Sequence, residues 1–311
     1  MKNRVCITSF VSVLVVLVLV SGAQATRHCG VICNQTWEKA DNPHIVTCDV
    51  TVDEGCWLRL KPGVRVYFYD NTKMVVNGTL NAIGLESDRI FFTSARDTLA
   101  GGVPGDWWGI RINGTSVDDT LQYCTIRYGG AYGSSIEPAV DIGGSSPVFL
   151  NCAVYSNYNV AFKCNGGRPL IHDCSVYNNG GDAYWVTNLA HLPEIYFSGG
   201  VSQMNSIVYG NHGNGIRFDG GTMSEDAVVP DMGPCYWLKA THMTIAGGTS
   251  LTFGQGVIWK TGDNLLIDVS GTLKATSAVL TSYRDDERQD TNGGGASGGV
   301  PGDWWGIRFE H

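Results

Sequence analysis

The chain has 311 residues, of which 43% are hydrophobic and only 16% charged, with a formal net charge of -8. This mildly acidic balance, with no concentrated patch of Lys and Arg, excludes the electrostatic footprint that nucleic-acid binding requires. The 41 glycines, many in Asn-Gly, Gly-Gly and Asp-Gly pairs between short apolar runs, are the composition of an all-β chain with many tight turns.

The first element is a leader. Lys2 and Arg4 precede an almost wholly apolar run, Val11 to Val20, and Ala23-Gln24-Ala25 supplies the small-x-small pattern that a signal peptidase accepts. The run is shorter than the roughly 20 residues a membrane-crossing helix needs. Residues 1–25 are read as a signal peptide, and no later stretch is long and apolar enough to span a membrane. The expected location is therefore secreted or cell-surface.

Directly after the leader come Cys29, Cys33, Cys48 and Cys56. Export permits disulfides, so these four are candidates for one or two bridges that staple the amino-terminal end, with their pairing open. A zinc site is the lesser reading of the same spacing. Ten cysteines occur in all and Cys6 lies in the leader, so at least one of the remaining nine stays unpaired.

The rest of the chain repeats at two scales. Val-Pro-Gly-Asp-Trp-Trp-Gly-Ile-Arg occurs at 103–111 and again, letter for letter, at 300–308. Upstream, Gly55-x-x-Leu58 through Val64 matches Gly248-x-x-Leu251 through Val257. Val76-x-Gly78-Thr79-Leu80-x-Ala82 matches Val269-x-Gly271-Thr272-Leu273-x-Ala275, and Thr93-Ser94-x-Arg96-Asp97 matches Thr281-Ser282-x-Arg284-Asp285. Four ordered matches mark a duplicated module. The division read from this is one module over 26–234 and a second copy of its opening part over 235–311, which stops soon after its Trp-Gly-Ile strand. An uncapped end of that kind exposes strand edges, and a fragment of a longer protein is the favoured explanation.

Between the copies, Cys124-Thr125-Ile126-Arg127, Cys152-Ala153-Val154-Tyr155, Cys174-Ser175-Val176-Tyr177 and Ser206-Ile207-Val208-Tyr209 align without gaps. Each period of roughly 20–30 residues holds about three short strands, too few for the four-stranded, 40–45-residue blade of a propeller. Because alternate strand residues face opposite sides, the Cys and Ile/Val positions point inward, and Arg127, Tyr155, Tyr177 and Tyr209 form an outward stripe. Asn157, Asn179 and Asn211 come after these strands at equal offset and are expected to form an asparagine ladder. The expected fold is an all-β parallel solenoid, coil stacked on coil.

Further segments carry a resemblance: Trp37-Glu38-Lys39-Ala40, Val46-Thr47-Cys48-Asp49-Val50-Thr51-Val52, Leu60-Lys61-Pro62-Gly63-Val64, the Gly-Thr-Leu-x-Ala strand and the Gly-Asp-Trp-x-Gly-Ile strand. In these the chain resembles the right-handed parallel β-helix proteins of the pectate-lyase-like superfamily, and among them the exported and cell-surface, mostly non-catalytic members. The resemblance implies a right-handed parallel β-helix over the whole exported chain. It implies little about activity, since that superfamily holds lyases, hydrolases, epimerases and many surface proteins without catalysis.

No residue-by-residue match to a lyase or hydrolase motif is present. The outward stripe offers one Arg and no carboxylate, and the next face adds Asp141 and Arg217 at single positions in separate coils. His212 belongs to a turn, Asn211-His212-Gly213. The tyrosine stripe, with Arg127 at its end, is a candidate sugar-stacking surface, since flat rings pack on apolar sugar faces; mutual stacking of the tyrosines is the competing reading. One Trp of each Trp107-Trp108 and Trp304-Trp305 pair is expected in the core and the other at the surface. Asp285, Asp286, Asp290 and Asn292, ahead of Gly293, echo the alternating oxygen ligands of a calcium loop, but Gly294 replaces the third ligand and a solvated loop fits the degenerate pattern better. Calcium is the one cofactor the sequence raises. Asn34, Asn77 and Asn113 stand in glycosylation sequons. The leading expectation is a non-catalytic exported protein for adhesion, carbohydrate binding or surface architecture, with a polysaccharide or surface glycan as partner. The alternative is a polysaccharide lyase or glycoside hydrolase.

Overall fold

The computed structural model describes residues 25–98, 101–114, 118–130, 137–167, 169–187, 207–231, 235–288, 291 and 297–310. Residues 1–24, where the signal peptide is expected, and the segment 188–206 lie outside the described residues. The described chain is all-β, with 30 short strands and two single-turn 3-10 helices, Lys39–Asp41 and Asp286–Arg288. Every pairing between named strands is parallel. Consecutive strands in the chain do not pair with one another. Each pairs with a strand one coil away, the connectivity that a β-helix-like solenoid produces.

Three stacks make up the first module. The first runs through Arg65–Phe68, Ile90–Ser94, Cys124–Arg127, Ala153–Tyr155, Ser175–Tyr177 and Ile207–Tyr209. The second runs through Lys73–Val76, Gly109–Ile112, Val140–Ile142, Phe162–Cys164, Asp182–Val186 and Gly213–Phe218. The third runs through Gln35–Trp37, Trp57–Leu60, Thr79–Ile83, Thr120–Gln122, Val148–Leu150 and Leu170–His172. Two longer strands, Thr26–Ile32 and His44–Val52, bend across the first two stacks and join them.

Strict alternation fills the interior. In Arg65–Phe68, Val66 and Phe68 are buried while Arg65 is exposed, and in Lys73–Val76 the inward Met74 and Val76 are fully buried. Large rings stack up the tube: Phe68 on Trp107 at 4.1 Å between centroids, Phe162 on Tyr184 at 5.6 Å, and Tyr236 on Trp259 at 5.8 Å. Trp107 is buried beside a half-buried Trp108, whereas Trp304 is half-buried and Trp305 is 69% exposed, so the expected core-and-surface division is incomplete in both pairs. Cys124, Cys152 and Cys174 line the core, each thiol donating to a carbonyl of the third stack: Ala82, Leu121 and Phe149. Burial pushes the Cys124 thiol up and that of Cys164 to about 12.

At the corner between the first and second stacks the asparagine ladder is present. Asn179 Oδ1 accepts from the Asn157 backbone N–H (3.1 Å) and side chain (2.8 Å), and Asn179 Nδ2 donates to Asn211 Oδ1 (2.7 Å) and Val154 O (3.1 Å). The amino-terminal end is stapled by Cys29–Cys48 and Cys33–Cys56.

The two module copies share one internal register. Val66 pairs with Phe92 as Trp259 pairs with Leu280, Met74 with Ile110 as Ile267 with Ile307, and Leu58 with Leu80 as Leu251 with Leu273. They differ in placement. Tyr236–Leu238 continues the second stack and carries Ile258–Thr261 and Val279–Ser282, although the counterparts of the last two strands lie in the first. The second copy's remaining strands join two strands that precede it in separate sheets: Gly221–Met223, His242–Ile245, Leu266–Val269 and Gly306–Phe309, and Ala227–Val229, Ser250–Phe253 and Thr272–Ala275.

The letter-for-letter motif has a structural reason. Asp106 is buried; its carboxylate accepts from Ser94 Oγ (2.6 Å), Arg96 Nη1 (3.0 Å) and the Val103 amide (2.9 Å). In the second copy Asp303 accepts from the Val300 amide (3.0 Å) and pairs with Arg284 (3.5 Å), whose amide in turn bonds Ser282 Oγ (3.1 Å). The Asp of Gly-Asp-Trp-Trp is thus a clasp that closes a long turn onto the preceding Thr-Ser-x-Arg strand end.

Candidate functional site

Stacking coils in register lines up outward residues in columns, and the outer face of the first stack gathers the rings. Ile45, Tyr67 and Thr93 form one column, and Arg65, Phe91, Thr125 and Ala153 the one beside it. The turn carrying Glu86, Ser87, Asp88 and Arg89 walls one side, with Ala95 and Thr98 opposite, enclosing a groove of about 650 Å³. Its floor is Tyr67, Tyr69 and Phe91, with the exposed Arg65 guanidinium 5.9 Å from the Phe91 ring centroid. Lys39 at the rim is held by Asp88 (2.7 and 2.8 Å). Arg89 is spent on structure: its Nη2 donates to Cys124 O and Asn151 O, both at 2.8 Å, tying two further coils together.

The column continues along the solenoid into the predicted stripe. Arg127, Tyr155 and Tyr177 face outward and are half-buried, and Tyr155 lies flat on Tyr177 at 4.7 Å with an interplanar angle of 6°. Backbone pairing places Tyr209 next in the register; its side chain lies outside the described set. The stacked geometry satisfies the competing reading of mutual stabilisation and also leaves an aromatic edge for a ligand.

One feature of this face differs from the expectation of no carboxylate. The Asp97 turn folds back so that its carboxylate accepts from Arg127 Nε (2.8 Å) and, at 2.6 Å, from Thr93 Oγ1, while Arg127 Nη1 donates to Tyr155 OH (2.8 Å). Burial alone would favour neutral guanidinium, yet Tyr155 and Asp97 outweigh it and push the Arg127 pKa up. The second face likewise brings together what the sequence separates. Arg111 meets Asp141 (3.2 Å) and Glu137 (3.3 Å), and Arg217 meets Asp182 and Asp219 (each 2.8 Å) with Trp185 at 4.3 Å. Spans of 26–35 residues bring Arg111 to its two carboxylates and Arg217 to Asp182, so no local motif could reveal those pairs, whereas Asp219 lies two residues from Arg217. The carboxylates Asp88, Asp97, Asp141, Asp182 and Asp219 are each engaged by a cation.

Of the calcium-loop candidates, Asp290 and Asn292 lie outside the described residues. Asp285 Oδ2 accepts from Thr281 Oγ1 (2.7 Å), and Asp286 Oδ2 accepts from the amide and hydroxyl of Ser297 (2.5 and 2.6 Å). Among the described residues no group of three metal-ligating side chains occurs. Part of this loop covers the second stack: Thr291 is fully buried, its carbonyl accepts the Asn214 amide (2.9 Å), and its hydroxyl meets Cys235 Sγ (3.3 Å). Beneath the same loop Lys260 is fully buried, with Nζ donating to Asp285 O (2.7 Å).

No protein-family model, no curated protein and no solved structure matches the chain. Among the described residues no helix is long and apolar enough to cross a membrane.

Proposed function

We propose that the chain is a right-handed parallel β-helix of the pectate-lyase-like kind, exported to the surface or the medium, that binds a glycan along the outer face of its first stack without catalysing a reaction. The observation that carries this is one outer face that holds the groove rings Tyr67, Tyr69 and Phe91 and, past Thr93 and Arg127 in the Tyr67 column, the stacked Tyr155 and Tyr177. Two groups of rings on one face, separated by the Arg127 coil, suit an extended chain of sugars, each ring supplying apolar contact and the flanking Arg65 and Glu86 supplying hydrogen bonds. The two disulfides fit an oxidising compartment. Engagement of the neighbouring carboxylates in ion pairs supports binding over hydrolysis or elimination.

The test is an oligosaccharide array followed by titration of the best-bound oligosaccharide. Tyr67→Ala and Tyr177→Ala should each weaken binding by about five- to tenfold, the loss of one stacking ring at about 1 kcal/mol. Unchanged affinity in both variants, or release of cleaved product on prolonged incubation, would sink the proposal.

A further inference from the structure

Beyond the two amino-terminal staples the structure holds five thiols, Cys124, Cys152, Cys164, Cys174 and Cys235, all buried. Three of them stand in one column. Thr125 pairs with Ala153 and Ala153 with Ser175, so the residues one step earlier, Cys124, Cys152 and Cys174, follow one another in register on three successive coils. Cys164 and Cys235 have no cysteine beside them: Cys164 pairs with Ile142 and Val186, and the register sets Cys235 between Gly215 and Ile258.

The same chain shows what cysteines in that register do. Gln35 pairs with Leu58 in a parallel stack, and two steps earlier the register sets Cys33 beside Cys56, which are bonded with their Cα atoms 4.8 Å apart. Neighbouring parallel strands are spaced by about 4.8 Å, inside the range of about 4.4–6.8 Å over which a disulfide joins two Cα atoms. Within the column Cys124 and Cys174 each lie within hydrogen-bonding reach of the Cys152 sulfur. Burial alone would raise the Cys152 thiol, but those contacts and the Arg89 guanidinium outweigh it and bring it down. Cys124, by burial, and Cys174, by its contact with Cys152, are pushed up. Arg89 is fixed at this end of the column by its bonds to Cys124 O and Asn151 O. The middle sulfur is therefore the one favoured as thiolate, the form that attacks a disulfide.

We propose that this column carries a third disulfide that migrates: Cys152 bonds either Cys124 or Cys174, and the cysteine left over is the resolving thiol that exchanges the bond between the two coil gaps. The oxidant is a low-molecular-weight disulfide of the glutathione type, met while the coils zip together and the sulfurs are still open to solvent. The Cys152 thiolate attacks one sulfur of that molecule, giving a mixed disulfide and one small thiol. A neighbouring cysteine thiolate then attacks the Cys152 sulfur, the protein S–S bond forms and the second small thiol leaves. Two protein thiols thus lose two electrons and two protons, and the small disulfide is reduced to two thiols. Exchange consumes no further oxidant: the Cys124 thiolate attacks Cys152, and Cys174 leaves as a thiolate that takes up the proton Cys124 gave. The inference stands apart from the glycan reading and does not depend on a ligand.

The test refolds the reduced chain, residues 26–311, in oxidised and reduced glutathione until Cys33–Cys56 has closed. The product is then unfolded in mildly acid guanidinium with N-ethylmaleimide, and each cysteine peptide is read by mass spectrometry. Three labelled cysteines per chain are expected in place of five: Cys164 and Cys235 in full, Cys152 protected, and one label divided between Cys124 and Cys174. Cys152→Ser should leave both of its neighbours fully labelled. Cys124→Ser and Cys174→Ser should each protect the remaining pair completely, ending the divided label. Full labelling of Cys152 in a chain whose Cys33–Cys56 bond is closed overturns the proposal, and so does a bond confined to one of the two gaps or made to Cys164 or Cys235. The labelling of the unmodified chain decides the matter if a variant fails to fold.

Discussion

Replacing Asn179 by Ala removes the middle rung of the ladder that stitches the coils together. Asn179 is buried, and its side chain makes four hydrogen bonds: two accepted from Asn157 and two donated, to Val154 O and Asn211 Oδ1. Each intact bond contributes about 1 kcal/mol net, but truncation also strands the Asn157 amide away from water, and an orphaned buried donor costs about 1–3 kcal/mol. The Asn157 side chain keeps a long bond to Ile126 O (3.4 Å), which softens the loss. The expected destabilisation is about 3 kcal/mol. The matched control is Asn165→Ala at the exposed turn after the second stack, where one bond from Thr187 is lost and about 0.5 kcal/mol is expected. Urea unfolding followed by circular dichroism reads both as shifts in midpoint at constant slope. A loss for Asn179→Ala no larger than that for Asn165→Ala would refute the idea that a satisfied amide ladder fixes the coil stacking.

Removing Cys33–Cys56, whose partners are 23 residues apart, should cost about 3 kcal/mol by loop entropy, read as a lower melting temperature in Cys33→Ser/Cys56→Ser. Asp119 is buried with Oδ2 unpartnered, and burial raises its carboxyl to about 6 from 3.8, so stability present at low pH is lost as pH rises from 3.8 through 6. Asp119→Asn, which keeps the acceptor for the Leu80 amide (2.7 Å), should therefore raise the melting temperature at pH 7 and do little at pH 3.5. His28 behaves oppositely: burial and then the neighbouring His44 lower it to about 4 from 6.5. Its Nε2 meets His44 Nδ1 at 3.0 Å while His44 Nε2 faces Glu38 O at 2.9 Å, so both rings are held neutral. Stability from this pair is full above pH 6.5 and falls as pH drops toward 4; after discounting for partial exposure the loss is about 1–2 kcal/mol. Amide exchange over 26–52 should quicken across that window, and a flat profile in His28→Gln is the check.

The coil repeat was legible because it rests on period-two alternation and on turn residues at regular spacing, both local. The inward Cys124, Cys152 and Cys174 and the asparagine ladder both arise from that spacing. What the sequence hid depends on turns that fold back over a face. The Asp97–Arg127 pair, the Arg111 and Arg217 clusters and the burial of Thr291 each join residues a coil or more apart, through loops with no periodic signal. The module repeat was visible, but not that the second copy adds to the second stack. That placement leaves no mark in the repeated letters. The groove floor was missed for another reason: Tyr67 and Phe91 precede the gapless four-strand alignment, so the stripe was read as starting at Arg127.

The most direct test of the glycan-binding face is saturation transfer from tyrosine and phenylalanine ring protons to the best-bound oligosaccharide, compared with transfer from tryptophan. Stacking of sugars on this face predicts that transfer arises from Tyr67, Phe91, Tyr155 and Tyr177, and that it falls in Tyr67→Ala and Tyr177→Ala while Trp185→Ala leaves it intact. Transfer that persists in both tyrosine variants and is lost in Trp185→Ala would place the ligand on the second stack and contradict it.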